Sequence, residues 1–136
     1  MKIKIIKFAK NLISPNRSHY NDAGADCFSP SNFKLEPHQV LMVPLGFGVE
    51  VPDGYMAVIK PRSSMNAKGI ITQIGTIDSG YRGEVKAVFI NATDNEYEFF
   101  TNDKICQLVI EPVVLAEYVT EFPSERGQGG FGSTGK

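Results

Sequence analysis

The sequence predicts an all-β domain, a sandwich or barrel of short strands. Three observations carry that prediction. Short runs rich in β-branched residues recur along the chain, turn-forming residues separate them, and only Ser63 to Lys68 has room for a helix, of about one or two turns. The first run is Lys2 to Phe8, followed by Val40 to Val43, Phe47 to Val51 and Tyr55 to Lys60. Val85 to Asn91 and Tyr97 to Phe100 come next, and Ile105 to Thr120 is last, broken at Pro112. Val113-Val114 and Val119-Thr120 continue the β signal beyond that proline. The turn signals are Asn21-Asp22, Pro52-Asp53-Gly54, Ser79-Gly80 and Thr101-Asn102-Asp103. There is no internal repeat.

The 136 residues suit one domain with one core. Hydrophobic residues make up 42% and charged residues 21%, an ordinary globular composition. A formal net charge of −1 argues against a surface that coats nucleic acid. It leaves room for a small basic pocket. No apolar run approaches the roughly 18 residues of a membrane span. Met1 to Lys10 alternates lysine with isoleucine and lacks the apolar stretch of a signal peptide, so the expected compartment is cytoplasmic (the host's, for a viral chain). The two cysteines, Cys27 and Cys106, and the two histidines, His19 and His38, have no metal-site spacing. The cysteines read as small buried apolar side chains.

The end of the chain breaks the strand pattern. Residues 126 to 136 read RGQGGFGSTGK, with five glycines in eleven residues. Such a segment buries too little apolar surface to offset its ordering entropy. The expected organisation is therefore a folded domain over 1–125 and a flexible arm over 126–136. Arg126 and Phe131 are unusual in an inert linker and suit a flap that orders on a ligand.

Four further segments are dense in polar and turn residues. They are DAGADC at 22–27, PRSSMNAKG at 61–69, GTIDSGYRGE at 75–84 and NDKICQLVI at 102–110. With the tail they form five blocks in a fixed order, and they closely resemble the five motifs of the trimeric dUTP pyrophosphatase family. The resemblance covers nearly the whole chain. It implies a distorted jelly roll, in agreement with the strand pattern. It also implies hydrolysis of dUTP to dUMP and pyrophosphate with Mg²⁺, which keeps uracil out of DNA and supplies dUMP for thymidylate synthesis. The implied partners are dUTP and two further copies of the chain, in a homotrimer whose sites are shared between subunits.

The chemistry of each block fits that reaction. Hydrolysing a nucleoside triphosphate requires an activated water, neutralised phosphates and in-line alignment. By resemblance Asp78 is the general base that orients and deprotonates the water. On chemistry alone a turn-capping role fits Asp78 equally well. Arg62, Ser63 and Ser64 open the short helical stretch, where hydroxyls, N–H groups and a guanidinium can cradle phosphates; a plain helix cap is the structural alternative. Gln107 resembles a residue that also contacts phosphate. Asp26 matches an aspartate that meets the metal through its water shell, which suits an ion that keeps its waters and binds phosphate oxygens. A hairpin around Thr72 to Ile77, including Gly75 and Thr76, is expected to read the uracil edge with its backbone. A mismatched base there leaves buried polar groups unpaired, at about 1–3 kcal/mol each. Tyr81 resembles the tyrosine under the deoxyribose that leaves no room for a 2′-hydroxyl. The implied substrate-binding set also takes in Lys86. In the tail, Phe131 is expected to stack on uracil and Arg126 to reach the γ-phosphate, with Gly132, Ser133 and Thr134 beside them.

The chain departs from the family pattern at five places. Thr72 stands for a common asparagine, Cys27 for leucine, Cys106 for alanine and Lys104 for an arginine of a structural ion pair. Asn102 replaces a turn glycine, and asparagine tolerates the same positive φ. Other readings fare worse. Gly130 to Lys136 fits GxxxxGK, but no helix follows, so a P-loop is rejected. dCTP deaminase chemistry needs a glutamate on the strand after the catalytic turn, and Val88 stands nearest that place. A nucleotide-gated binding module would be marked by loss of Asp78, Arg62 or Phe131, and all three are present.

Overall fold

In the computed structural model residues 1–121 are described. Their order is β1 (Lys4–Lys7), β2 (Ala25–Phe28), β3 (Phe33–Leu35), β4 (Val40–Pro44), β5 (Phe47–Glu50) and β6 (Tyr55–Lys60). Helix α1 (Ser63–Ala67) follows, then β7 (Ile70–Thr72), β8 (Gly75–Ile77), β9 (Lys86–Asn91), β10 (Tyr97–Phe99) and β11 (Lys104–Pro112). All pairings are antiparallel. One sheet has the order β2-β11-β6-β8 and another the order β4-β9-β7, with two-stranded pairs β1-β5 and β10-β3 beside them.

The strands exist because one face of each can be buried. In β9 the even pattern is plain: Ala87, Phe89 and Asn91 are buried, whereas Lys86 is exposed and Val88 and Ile90 are half-buried. The core draws Cys27, Ala57, Ile59, Ile77 and Leu108 from the first sheet, and Val43, Ile70, Ala87 and Phe89 from the second. Both sheets thus bury an inner face in one core, as in a sandwich. An aromatic group closes one part of it: Phe33 stacks on Phe99 at 4.6 Å between centroids, and Phe89 tilts against Phe99 at 5.2 Å. Asn91, fully buried, donates to Leu35 O and Asn95 O and accepts from the Thr93 N–H and hydroxyl, so every polar atom of its amide is engaged.

Two expectations need correction. The β signal past Pro112 yields no strand: β11 stops at Pro112, and Val114, Leu115 and Tyr118 lie exposed. Val113 still donates its N–H to Gly54 O at 2.9 Å, but β6 begins only at Tyr55, after the turn at Gly54 with φ 84°, and among the described residues no strand pairs with residues 113–121. Nor is Thr72 to Ile77 a hairpin. β7 pairs with β9 and β8 with β6, so Gln73-Ile74 carries the chain from one sheet to the other. The Gln73 N–H still donates to Val88 O, which extends β7's edge by one residue before the crossing. Asn102 does take the positive φ expected of it, 71°.

Candidate active site

The first site element is a polar cleft of about 410 Å³, walled by Asp26 on β2 with Gly24 just before it, Gln107 and Lys104 on β11, and Arg62 to Ser64 at the start of α1. Register makes it. Gln107 pairs with Asp26 on one side and with Lys60 on the other, so these side chains share a sheet face just before the chain leaves β6 for α1. Gly24 is required where β2 begins, because a Cβ there would overlap the Gln107 amide. Arg62 caps α1 with its carbonyl, which accepts from the Met65 and Asn66 N–H groups at 3.1 Å each. Its guanidinium Nη1 donates to Lys104 O at 2.9 Å. The exposed Ser63 and Ser64 complete that wall.

Charge in this cleft is arranged around Asp26. Lys104 Nζ lies 3.2 Å from Asp26 Oδ2, and the Ser18 hydroxyl donates to the same oxygen at 3.1 Å. Lys104 also donates to Ser18 Oγ at 3.0 Å. The result is a cleft with a guanidinium, an ammonium, three exposed serines and two carboxylates, Asp26 paired with Lys104 and Asp22 with His19, which leaves the Arg62 and serine wall as a donor set suited to phosphate. Among the described residues no group of three or more His, Cys, Asp or Glu side chains could hold a metal. The donor set fits a hydrated ion brought by phosphates and met by Asp26 from outside, because magnesium keeps several waters and needs no protein cage.

The second element is a cleft of about 240 Å³ lined by Thr76, Ile77, Asp78, Tyr81, Glu84, Val85 and Lys86. Asp78 is exposed and heads a turn in which the Tyr81 N–H donates to Asp78 O at 3.1 Å. Arg82 Nη1 braces the turn through Ser79 O and Tyr81 O. The Tyr81 hydroxyl donates to Glu84 O at 2.8 Å, and its ring is half exposed to the cleft.

The two clefts share no lining residue. Ile77, just before Asp78, pairs with Ala57 on β6, whereas Gln107 pairs with Lys60. Three residues along β6 correspond to about 10 Å, and β8 and β11 flank β6, a further separation of about 10 Å. Within one copy, therefore, Asp78 stands well away from Arg62, Asp26 and Gln107.

The structure brings Asp26, Arg62, Ser63, Ser64 and Gln107 together in one cleft, and Thr76, Ile77, Asp78, Tyr81 and Lys86 in the other. Gly75 pairs with Ile59 on the edge strand beside them. Thr72 is buried, with its hydroxyl unpartnered, and lines neither cleft. Arg126, Phe131, Gly132, Ser133 and Thr134 lie outside the described residues. The sequence reading missed Ser18, His19 and Glu84, which line the clefts from loops outside or at the margin of the motif blocks. A serine eight residues before a motif aspartate is a weak signal. Cys27 and Cys106 face each other across β2 and β11, fully buried. The Cys106 thiol and burial push the Cys27 thiol well up, which keeps it protonated and inert.

Comparison with known proteins identifies the family. The model of the dUTPase family matches residues 10–135. The chain is 39% identical over 142 aligned positions to the deoxyuridine 5′-triphosphate nucleotidohydrolase of Clostridium tetani, covering all of this chain and 97% of that one. It is similar to the Staphylococcus bacteriophage 80alpha dUTPase in complex with dUPNHPP, with a TM-score of 0.88, 30% identity and 99% of both chains covered. A variant dUTPase from phage phi11 of S. aureus, which coordinates a structural Mg(II) ion, superposes with a TM-score of 0.83 at 26% identity, covering 90% of this chain and 99% of that one.

Proposed function

The chain belongs to the dUTPase family, and from that premise we propose how its two clefts hydrolyse dUTP to dUMP and pyrophosphate. The donor-rich cleft holds the triphosphate through Arg62, Ser63, Ser64 and Gln107. The cleft beside β8 receives the nucleoside, with Tyr81 against the sugar and the Thr72 to Ile77 backbone against the uracil edge. Asp78, on its turn, accepts a hydrogen bond from the attacking water and takes its proton as the water oxygen bonds to the α-phosphorus and the bond from that phosphorus to the oxygen bridging it to the β-phosphate breaks, so that pyrophosphate leaves. A magnesium ion held there would neutralise phosphate charge, and Asp26 would hold it through its water shell. Arg126 and Phe131 close over the γ-phosphate and the base and exclude water.

The single observation that carries this reading is the separation of Asp78 from the phosphate cleft within one copy. A carboxylate that must reach the reacting phosphorus cannot serve the cleft of its own chain across that distance. It serves the cleft of another copy, and closed three-fold symmetry makes all sites equivalent. Apolar surface left uncovered supports assembly. Val40 and Met42 on β4 are 62% and 59% exposed and pair with Ile90 and Val88 on the outer face of one sheet. Beyond β11, Val114 and Leu115 are 89% and 84% exposed.

The test is pyrophosphate release from dUTP, dCTP, dTTP and UTP in parallel, with magnesium and with chelator. The expected result is fast release from dUTP alone, suppressed by chelator. Comparable release from UTP or dTTP contradicts the selectivity assigned to Tyr81 and the Thr72 to Ile77 segment.

A further inference from the structure

The sugar-facing tyrosine does not hold its own position; two glycines and a carbonyl hold it. Among the described residues the Tyr81 side chain has one hydrogen-bond tether, its hydroxyl donating to Glu84 O at 2.8 Å. Its ring lies directly over Gly83. A Cβ on Gly83 would stand 2.5 Å from Tyr81 Oη, 2.6 Å from Cζ and 3.0 Å from Cε1, closer than real Cβ contacts come. Gly83 in turn lies on Gly48 of β5: a Cβ on Gly48 would stand 2.6 Å from Gly83 O and 3.1 Å from Phe8 Cε2. The three form a stack, with β5 backbone below, the Gly83 backbone between, and the Tyr81 ring above.

The lower two layers are braced by hydrogen bonds of their chain neighbours. Val85 donates its N–H to Phe47 O at 2.7 Å, Leu45 donates to Val85 O at 2.9 Å, and the Gly46 N–H donates to Glu84 Oε2 at 2.9 Å. Residues 84 and 85 are thereby pinned along residues 45 to 47. The Tyr81 ring is the one layer free to swing, since it projects into an open cleft. Gly83 is not among the glycines with positive φ, so its backbone accepts a side chain and steric contact with Tyr81 is the whole objection to one.

We infer that Gly83 is a specificity-positioning residue, which sets the height of the Tyr81 ring over the cleft and so the exclusion of a 2′-hydroxyl. The inference rests on the reading that places Tyr81 against the sugar. It adds that the sugar filter is built from the 83–84 backbone and not from the tyrosine alone. An alanine at 83 lifts the ring and breaks its tether to Glu84 O. The pocket then fits both sugars poorly, and the advantage of the deoxy sugar shrinks. The base edge is read elsewhere, so discrimination between dUTP and dCTP stays as it was.

The experiment measures kcat/KM for dUTP, UTP and dCTP in the wild type, Gly83→Ala, Tyr81→Ala and the double variant. The dUTP-to-UTP ratio should fall about tenfold in Gly83→Ala, the scale of a small steric change in a pocket. The dUTP-to-dCTP ratio and the unfolding midpoint should hold. In the Tyr81→Ala background, Gly83→Ala should change the dUTP-to-UTP ratio no further, because it acts through the ring. An equal fall in both backgrounds, or an unchanged ratio in Gly83→Ala, overturns the inference. Tyr81→Phe reads the same device with Gly83 in place. Loss of the Glu84 tether should lower the dUTP-to-UTP ratio several-fold, and a full wild-type ratio overturns the inference even if the alanine variant does not fold. Hydrolysis of dUTP by the wild type secures the functional premise separately, so an unchanged ratio counts against the positioning role alone.

Discussion

Lys104 Nζ stands 3.2 Å from Asp26 Oδ2, and Ser18 bridges the two. The pair sits at the floor of the phosphate cleft, with the Asp26 side chain only 15% exposed. Lysine is a compact point charge with rotatable donors, where an arginine fork would be locked to the carboxylate. Lys104 can therefore turn part of its charge to an arriving phosphate. Lys104→Met should raise KM for dUTP by roughly tenfold and leave kcat within a few-fold, the pattern of lost uniform binding. Steady-state kinetics in fixed salt checks this, and an unchanged KM would confine Lys104 to a structural role.

Gly24 fixes Gln107 by leaving it room. Gly24→Ala forces the amide out of the cleft. Affinity for a nonhydrolysable dUTP analogue should fall by about tenfold, a loss on the scale of one hydrogen bond to a charged group. Gln107→Ala should match it by calorimetry. If Gly24→Ala binds as the wild type does, Gln107 does not contact phosphate.

Asp78→Asn keeps the shape of the turn, whose hydrogen bond uses the backbone of residue 78. The amide is far too weak a base. Turnover should drop by at least about 10²-fold to 10⁴-fold, while analogue affinity and oligomer mass stay near those of the wild type. Strong residual turnover would assign water activation to another group.

Asn91 holds three chain segments together from a fully buried position. Asn91→Ala leaves Leu35 O and Asn95 O without its donor. Asn95 O keeps the Thr93 hydroxyl as a donor at 3.0 Å, so the expected cost is about 2 kcal/mol, from roughly 1–3 kcal/mol for an unsatisfied group. Urea unfolding at fixed protein concentration measures it. A loss below about 0.5 kcal/mol would mean that water replaces the amide.

Much of this fold was legible because burial imposes a period on the strands. Tyr55–Lys60 and Lys86–Asn91 are central strands that match the runs read from sequence closely; β9 alternates between its faces, whereas Ala57, Val58 and Ile59 of β6 are buried in succession as a continuous apolar run. β2 and β3 carried no such signal. Ala25–Phe28 has no β-branched residue, and Phe33–Leu35 is too short for a period; tertiary pairing with β11 and β10 makes them strands. β7 and β8 were hidden for a different reason. The family resemblance implied a hairpin around Thr72 to Ile77, and nothing in the local sequence shows that its two arms join different sheets. Within the site, the motif residues were legible from their blocks. Ser18 and Glu84 were not, because their roles depend on where a distant carboxylate and a neighbouring ring come to rest.

Mixing two defective chains puts the separation of Asp78 from Arg62 to a functional test. Asp78→Asn keeps the phosphate cleft, and Arg62→Ala keeps the carboxylate. In the proposed three-fold assembly, each variant alone lacks one half of every site. Co-refolded at equal amounts, with exchange confirmed by the mass of differently tagged trimers, random assembly places an intact cleft against an intact Asp78 at roughly a quarter of the sites. Pyrophosphate release should recover to about that fraction of the wild-type rate. Confirmed exchange with no recovery would contradict a site shared between copies, because Asp78 and Arg62 would then serve a site within one chain.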